Sequence, residues 1–331
     1  MKSADVDAQS NAHRSCISVC IVTFNQAQFI EQCVDSVYAQ RGVGDYVLQV
    51  IVGDDCSTDE TPERLAALKS RHPDLEVLRH KTNIGGARNH LSVIEMARGE
   101  FVAHLDGDDF WLPGKLAAQM GFLQENRSCI AVCTNAIVVN AVGREVGVFT
   151  NAEVSRFGID YLVEGGNFIN HSSLLYRASV AHAVLSTPTP YIDFTLLLSL
   201  CKEGDIGFID QPLAGYRANL QQSVQKTDGE SVRTLYREAL FAAIPLASPR
   251  SQRRAAANYV AYRLLFGLQG KAPHLEFEQF MRCCRAANVR PILLGVLTAM
   301  RVAGLAWAVS VNAIRRRFIP QRVPVVYHAR Y

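Results

Sequence analysis

Three apolar runs in the first third of the chain each end in a polar, oxygen-rich cluster, and this repetition constrains the fold more than any other feature. Ile17-Ser18-Val19-Cys20-Ile21-Val22 ends at Thr23-Phe24-Asn25, Val47 to Val52 ends at Gly53-Asp54-Asp55, and Phe101 to Leu105 ends at Asp106-Gly107-Asp108-Asp109. Between the first two, Phe29 to Gln40 carries Phe29, Ile30, Cys33, Val34 and Val37 at helical spacing. A second helix is predicted from about Thr61, with Pro62 suited to its first turn and Leu65, Ala66 and Leu68 on one face. A short strand at Glu76 to Leu78 and a helix from Ala87 to Ala97, stopped by Gly99, continue the alternation. Strands alternating with helices predict an α/β fold with a mostly parallel sheet covered on both faces. In such sheets ligands bind beyond the carboxyl ends of the strands, so the three clusters are expected on one rim.

The rest of the chain is read more coarsely. Ile130 to Arg217 is less regular, with a strand-like Ile137-Val138-Val139, a turn at Gly165-Gly166 and a short helix, Phe194 to Lys202, after Asp193. From about Gly229 the pattern is helical and Ala-rich. With 331 residues, 49% hydrophobic and 20% charged, the chain is long enough for one large domain or two, and wholesale disorder is excluded. Nine cysteines are an odd number, and no CxxC pair occurs; Cys16, Cys20, Cys129 and Cys133 lie in strand-like runs. They read as reduced, mostly buried thiols of a cytoplasmic protein. Met1 to His13 is polar and has no apolar segment of the signal-peptide kind, so residues 1–14 are expected to form a flexible tail. A formal net charge of +3 does not argue for a nucleic-acid partner.

Asp106, Asp108 and Asp109 are the sharpest chemical signal. Three carboxylates within four residues repel one another unless a cation or hydrogen-bond donors sit among them. Exposed turns also hold acidic residues harmlessly, but the preceding strand aims this cluster at the ligand rim. Hard oxygen ligands there suit a divalent metal, Mg²⁺ or Mn²⁺, held together with substrate phosphates. In Asp54-Asp55-Cys56-Ser57-Thr58-Asp59, Asp55 can accept hydrogen bonds from a nucleobase while Ser57, Thr58 or Asp59 caps the next helix. Asn83 to Asn89 places Gly85-Gly86 before a helix whose N-terminus attracts phosphate, with Arg88 adding charge. GxGxxG spacing and a Walker Gly-Lys-Ser/Thr ending are absent, which argues against dinucleotide dehydrogenases and P-loop NTPases.

In this order and spacing, Ile17 to Asn25, Asp54 to Thr61, Asn83 to Asn89 and Asp106 to Pro113 resemble the family 2 glycosyltransferases, inverting enzymes with a GT-A fold. The resemblance is close from Ser15 to about Asn140 and weaker to about Ser223. It implies that Thr23, Phe24, Asn25 and Asp55 surround the base and ribose of a nucleoside-diphosphate sugar. It maps the family's Asp-x-Asp element onto Asp106-Gly107-Asp108, with Asp106 near the ribose or metal and Asp108 on the cation that bridges the diphosphate.

Downstream, Tyr191-Ile192-Asp193-Phe194 matches the segment that carries the family's catalytic base, which implies that role for Asp193. An acceptor hydroxyl must lose its proton as it attacks the anomeric carbon, and a carboxylate within reach takes it. On local sequence alone Asp193 reads as a helix N-cap. Three departures stand out. Cys56 replaces the usual Gly, so that turn is expected to need a different backbone conformation. Asn219 stands where a His often follows Tyr-Arg, and a lone Asp193 replaces an acidic pair. The Gln-x-x-Arg-Trp element of processive synthases is absent, which favours addition of a single sugar. His171-Ser172-Ser173 is a candidate lining for the acceptor pocket, against a structural role for a lone His beside a strand.

After Pro249 the only acids are Glu276 and Glu278, against fourteen Arg and Lys residues. Pro291 to Ile314 is apolar with Arg301 near its middle, which makes a membrane span costly, by about 2.5–3.5 kcal/mol on insertion scales. The segment suits a helix lying at a membrane interface, with Arg315 to Arg317 on anionic head groups, or else a helix packed on the catalytic domain. The expected organisation is a tail at 1–14, a GT-A domain at 15–228 and a basic helical region at 229–331. Within the domain, 15–140 is the nucleotide-sugar half and 141–228 the acceptor half. The expected activity is inverting transfer of one sugar to a glycan or lipid-linked acceptor in surface polysaccharide or lipopolysaccharide synthesis. The expected location is the cytoplasm, peripheral on the inner face of the membrane. Two rivals are a nucleotidyltransferase on a related fold, which would show a Gly-rich basic loop after the first strand where Gln26-Ala27-Gln28 stands, and a non-catalytic glycan- or membrane-binding module.

Overall fold

A computed structural model describes residues 15–218, 229–268, 275–318 and Val325, without the side chains of 266 and 306–318. The expected tail at 1–14 and Asn219 lie outside the described residues, and so do the side chains of Arg315 to Arg317. The first half runs β1 (Cys16–Thr23), α1 (Ile30–Tyr38), β2 (Val47–Asp54), α2 (Thr61–Arg71), β3 (Glu76–Arg79), α3 (Gly86–Glu95) and β4 (Phe101–Asp106). The middle runs β5 (Phe110–Trp111), α4 (Lys115–Glu125), β6 (Cys129–Val139), β7 (Glu145–Val148), β8 (Arg156–Phe157), α5 (Ile159–Gly165), β9 (Leu175–Arg177), α6 (Ala181–Leu185), α7 (Asp193–Leu200) and β10 (Asp205–Arg217). Four helices follow: α8 (Gly229–Ala243), α9 (Pro249–Leu268), α10 (Phe277–Ala286) and α11 (Pro291–Phe318).

The sheet has the order β3-β2-β1-β4-β9-β6-β10-β5. β1 pairs in parallel with β2 on one side and β4 on the other, and β2 pairs in parallel with β3. Register opposes Thr23 to Asp54 and Val22 to Asp106, so three strand ends finish level. The strand order reverses at β1 and β4, the position where α/β sheets open a ligand crevice. The second half departs from the parallel expectation. β9 is antiparallel to both neighbours, β4 and β6, and β5, β7 and β8 are also antiparallel additions. The parallel pairing resumes only between β6 and β10.

Each sheet face has its own core, which is why the central strands read as continuous apolar runs. One face packs Val19, Ile21, Val50 and Val52 against Ile30 and Val34 of α1 and Leu65 and Leu68 of α2. The other packs Cys20, Ile51 and Val102 against Val93 of α3 and Phe194 and Leu197 of α7. Leu240, Phe241, Tyr259, Cys283 and Leu294 belong to this second cluster. The C-terminal helices thus complete the cover of the sheet, each buried Leu or Phe contributing about 1.5–3 kcal/mol. All nine cysteines are unpaired, and all but Cys16 and Cys56 are buried.

Among the described residues no single helix is long and apolar enough to cross a membrane; only α10 with Pro291–Leu305, bent by 98°, passes as a pair. α11 buries Leu294 and Thr298 and exposes Ile292, Val296 and Met300, which recur every four residues as one apolar stripe.

Candidate active site

The first corner of the rim joins the ends of β1 and β2. Asn25 sits at φ 53° and its Oδ1 accepts from Thr58 N at 2.8 Å, while its own amide donates to Ser57 Oγ at 2.9 Å. The amides of Gln26 and Ala27 donate to Thr61 Oγ1 at 2.9 Å and Asp59 Oδ2 at 3.1 Å. Ser57 and Thr58 therefore bind the loop after β1 rather than cap α2; Asp59 alone reaches that helix, taking Thr61 N at 2.9 Å. Cys56 has φ 62°, so the turn keeps left-handed backbone with cysteine in it, where a different conformation is expected from the residue type.

Asp55 is buried, and its two oxygens accept the amides of Ile84 at 2.7 Å and Gly85 at 2.9 Å. It fastens the loop that opens α3, and each oxygen keeps a second lone pair. Thr23 is buried and donates to Gln26 Oε1 at 2.9 Å, whereas Phe24 is 42% exposed at the rim. Arg88 is exposed in the first turn of α3.

The second corner is the end of β4. A Cβ on Gly107 would lie 2.9 Å from Thr23 Cβ and 2.6 Å from Gln26 Oε1, so only glycine lets the two loops touch. Asp109 is buried and structural: Oδ2 accepts from Ser172 Oγ at 2.6 Å and Oδ1 from Arg217 N at 2.9 Å. Burial, then Asp108 and Asp106, hold its carboxyl well above the usual range. Burial and the neighbouring Asp106 push Asp108 up to about 7, opposed by Arg217 and Gln26. Crowded carboxylates raised in this way are those a divalent cation would relieve, and hard oxygen donors suit Mg²⁺ or Mn²⁺. The donor set of Asp106 and Asp108 therefore fits the expected metal.

Asp193 enters from the far side. It is the first residue of α7; Ile192 is the N-cap, and no side chain caps the helix. The capping role that local sequence suggests is not made. Its side chain is 53% exposed and Oδ1 lies 3.4 Å from His171 Nδ1. Desolvation at the rim raises its pKa, His171 opposes this and Asp106 adds to it. His171 stacks on His104 with ring centroids 3.8 Å apart, and His104 Nε2 lies 3.0 Å from Asp106 Oδ1. One stacked pair of imidazoles thus ties Asp193 to Asp106. Ser172 and Ser173 do not line an open pocket. Both are fully buried; Ser172 Oγ accepts Asp106 N at 3.1 Å, and Ser173 Oγ donates to Asn170 O at 2.7 Å.

Sequence reasoning assigns no role to Arg217, His90 or His104. The Arg217 guanidinium lies 4.6 Å over the Phe29 ring and 5.2 Å from Phe110, which fixes the cation that opposes the aspartate cluster. Its sequence signal is the Tyr216-Arg217 pair, at the end of β10, that the family resemblance includes. His104 is visible as a polar residue inside an apolar strand two positions before Asp106, hence on the same face. His90 carries no local signal.

The model of the glycosyl transferase family 2 matches residues 18–183. An uncharacterized protein of Mycobacterium tuberculosis is 31% identical over 206 residues, covering 61% of this chain and 58% of that protein. The succinoglycan biosynthesis protein ExoO of Rhizobium meliloti is 35% identical over 140 residues, covering 42% of this chain and 38% of ExoO. The chain thus spans 58% of the mycobacterial relative's length and 38% of ExoO's. The structure of S. aureus TarS 1-349 in complex with UDP-GlcNAc aligns with a TM-score of 0.59 at 18% identity, covering 82% of this chain and 79% of TarS 1-349. The fold is that of a GT-A protein. The chain belongs to glycosyl transferase family 2.

Proposed function

We propose that this protein transfers a single sugar from a nucleoside-diphosphate sugar to an acceptor hydroxyl, with inversion, in the synthesis of surface polysaccharide or lipopolysaccharide. The carrying observation is the link from Asp193 to Asp106 through stacked His171 and His104, which sets a half-exposed carboxylate beside the Asp106–Asp108 turn. The nucleoside lies among Thr23, Phe24, Asn25 and Asp55. Arg88 and the N-terminus of α3 draw the diphosphate, because unpaired helix amides and a guanidinium favour anions. Asp106 and Asp108, next to Gly107, would hold Mg²⁺ or Mn²⁺, which when bound offsets the charge of the departing diphosphate. Asp193 accepts the proton of the attacking hydroxyl at its half-exposed carboxylate. Attack from the side opposite the leaving group inverts the anomeric centre.

UDP-GlcNAc in the TarS fold neighbour supports a nucleotide-sugar donor, and the named role of ExoO supports polysaccharide synthesis. The acceptor is a glycan or a lipid-linked saccharide. The stripe of Ile292, Val296 and Met300, with the Arg excess after Pro249, supports peripheral attachment to anionic lipid on the cytoplasmic face of the membrane. The test is a panel of nucleotide sugars with Mg²⁺ or Mn²⁺, read by calorimetric binding and by NMR of the product anomer. A product that retains the donor's anomeric configuration, or failure of every nucleotide sugar to bind, overturns the reading.

A further inference from the structure

We propose that His90, His104 and His171 form a site for a divalent transition-metal ion, Zn²⁺, beneath the rim and separate from the Asp106–Asp108 turn. The three residues come from α3, β4 and the turn before β9, and all are buried. A ring nitrogen from each lies within 4.8 Å of one from each of the others. Each ring has one engaged nitrogen and one without a partner. His90 Nδ1 lies 2.7 Å from Tyr191 Oη, and that hydroxyl donates to Ala87 O at 3.2 Å. The tyrosine oxygen therefore accepts from His90 Nδ1–H, which leaves Nε2 as a bare lone pair. His104 Nε2 faces Asp106 and His171 Nδ1 faces Asp193, and both carboxylates are acceptors. The remaining atoms, His90 Nε2, His104 Nδ1 and His171 Nε2, are buried and unpartnered.

Three buried lone pairs need three donors. One water supplies two at most, so a water leaves one nitrogen bare. Protonating more than one ring would set like charges on imidazoles whose centroids lie 3.8–5.3 Å apart. A metal ion accepts all three lone pairs. Neutral imidazoles whose far nitrogens are held by a hydroxyl or carboxylate are the usual arrangement of a histidine metal site, and three of them suit zinc with a fourth position open. Zinc–nitrogen bonds of about 2.0–2.1 Å in a tetrahedron set the nitrogens about 3.4 Å apart, so binding draws the rings inward and opens the His104–His171 stack. An ion there would replace the ring stack as the link between the histidines that face Asp106 and Asp193. The inference stands on the ring geometry and does not depend on glycosyl transfer.

The test uses the full chain, stripped with a chelator and titrated with Co²⁺ and Zn²⁺ without nucleotide. One equivalent of Co²⁺ is expected to give the intense visible bands of a four-coordinate ion and to be displaced by Zn²⁺. Asp108→Asn is expected to keep the bands, which separates this site from the aspartate turn. His90→Gln/His171→Gln is expected to lose them with unchanged circular dichroism, and Tyr191→Phe to weaken binding about 10–100-fold. In the unmodified protein, Zn²⁺ is expected to move the ¹⁵N resonances of these three imidazoles, which needs no variant to fold. Absence of a stoichiometric four-coordinate spectrum, its persistence in the double variant, or unmoved imidazole resonances overturns the proposal.

Discussion

His171 presents Nδ1 to Asp193 Oδ1 at 3.4 Å, from a turn whose next residue, Ser172, hydrogen-bonds Asp109. Asp193 makes no capping bond to α7. Asp193→Asn is therefore expected to leave stability within about 1 kcal/mol of the parent, because the cap it would remove is not there. Transfer is expected to fall about 10²–10⁴-fold with donor affinity intact, the usual share of a general base. Turnover and calorimetric donor binding measured on one preparation check this; near-normal turnover would make the residue structural.

Asp108→Ala is expected to abolish the metal-dependent part of donor binding, since it removes one of the two carboxylates proposed to hold the ion at the end of β4. Titrations of a nucleoside diphosphate with and without Mg²⁺ or Mn²⁺ read this. Unchanged metal dependence would exclude Asp108 as a ligand.

Gly107→Ala places a methyl group 2.9 Å from Thr23 Cβ, on a strand that cannot move without breaking its pairing with β2 and β4. A loss of about 1–3 kcal/mol is expected, the usual cost of overpacking. Denaturant unfolding measures it, and nucleoside affinity is expected to fall with it. An unchanged midpoint would mean that the β1 and β4 loops are not in contact.

Lys115 is buried, with Nζ 3.9 Å over the Trp111 ring and 2.8 Å from Gln119 Oε1, and burial lowers its pKa to about 7 from the usual 10.5. Between these values the unfolded chain holds a proton that the folded chain lacks, so the lysine's contribution to stability rises with pH across that window. Below about 7 both states are protonated and the contribution is flat. Lys115→Met is expected to flatten the rise. Urea midpoints of both proteins at several pH values across the window check the difference in slope; parallel curves would show that Lys115 stays charged.

Replacing Ile292, Val296 and Met300 together by Ser is expected to cut sedimentation with anionic vesicles, and high salt to weaken the binding of the parent chain. Equal sedimentation of the two proteins at low salt would leave α11 as a packed helix with no role at the lipid surface.

Periodicity and turn chemistry are local properties, and they carried the first half of the fold. The runs at Ile17, Val47 and Phe101 read as strands because their buried faces admit only apolar residues. The polar ends at Thr23, Asp54 and Asp106 read as one rim because parallel strands finish on the same side. The aspartate turn was legible because its charges are neighbours in sequence. The family resemblance, carried by motifs rather than by periodicity, marked Asp193.

Tertiary structure alone decided the rest, because those contacts join residues far apart in the chain and leave no periodic trace. β9 is three residues long, too short for its antiparallel pairing to be read from a pattern. His90, His104 and His171 have no ligand-like spacing and meet only when α3 and the turn before β9 pack on β4. Ser172 looked like a pocket residue until the fold buried it against Asp106 and Asp109. Asp55 and Asn25 carry side chains of the kind that bind ligands, yet the loops between strands consume much of their hydrogen-bonding capacity. Residue type determines which chemistry is available; which partner takes each lone pair is set by packing, since a buried polar atom must bond to whatever the fold places beside it.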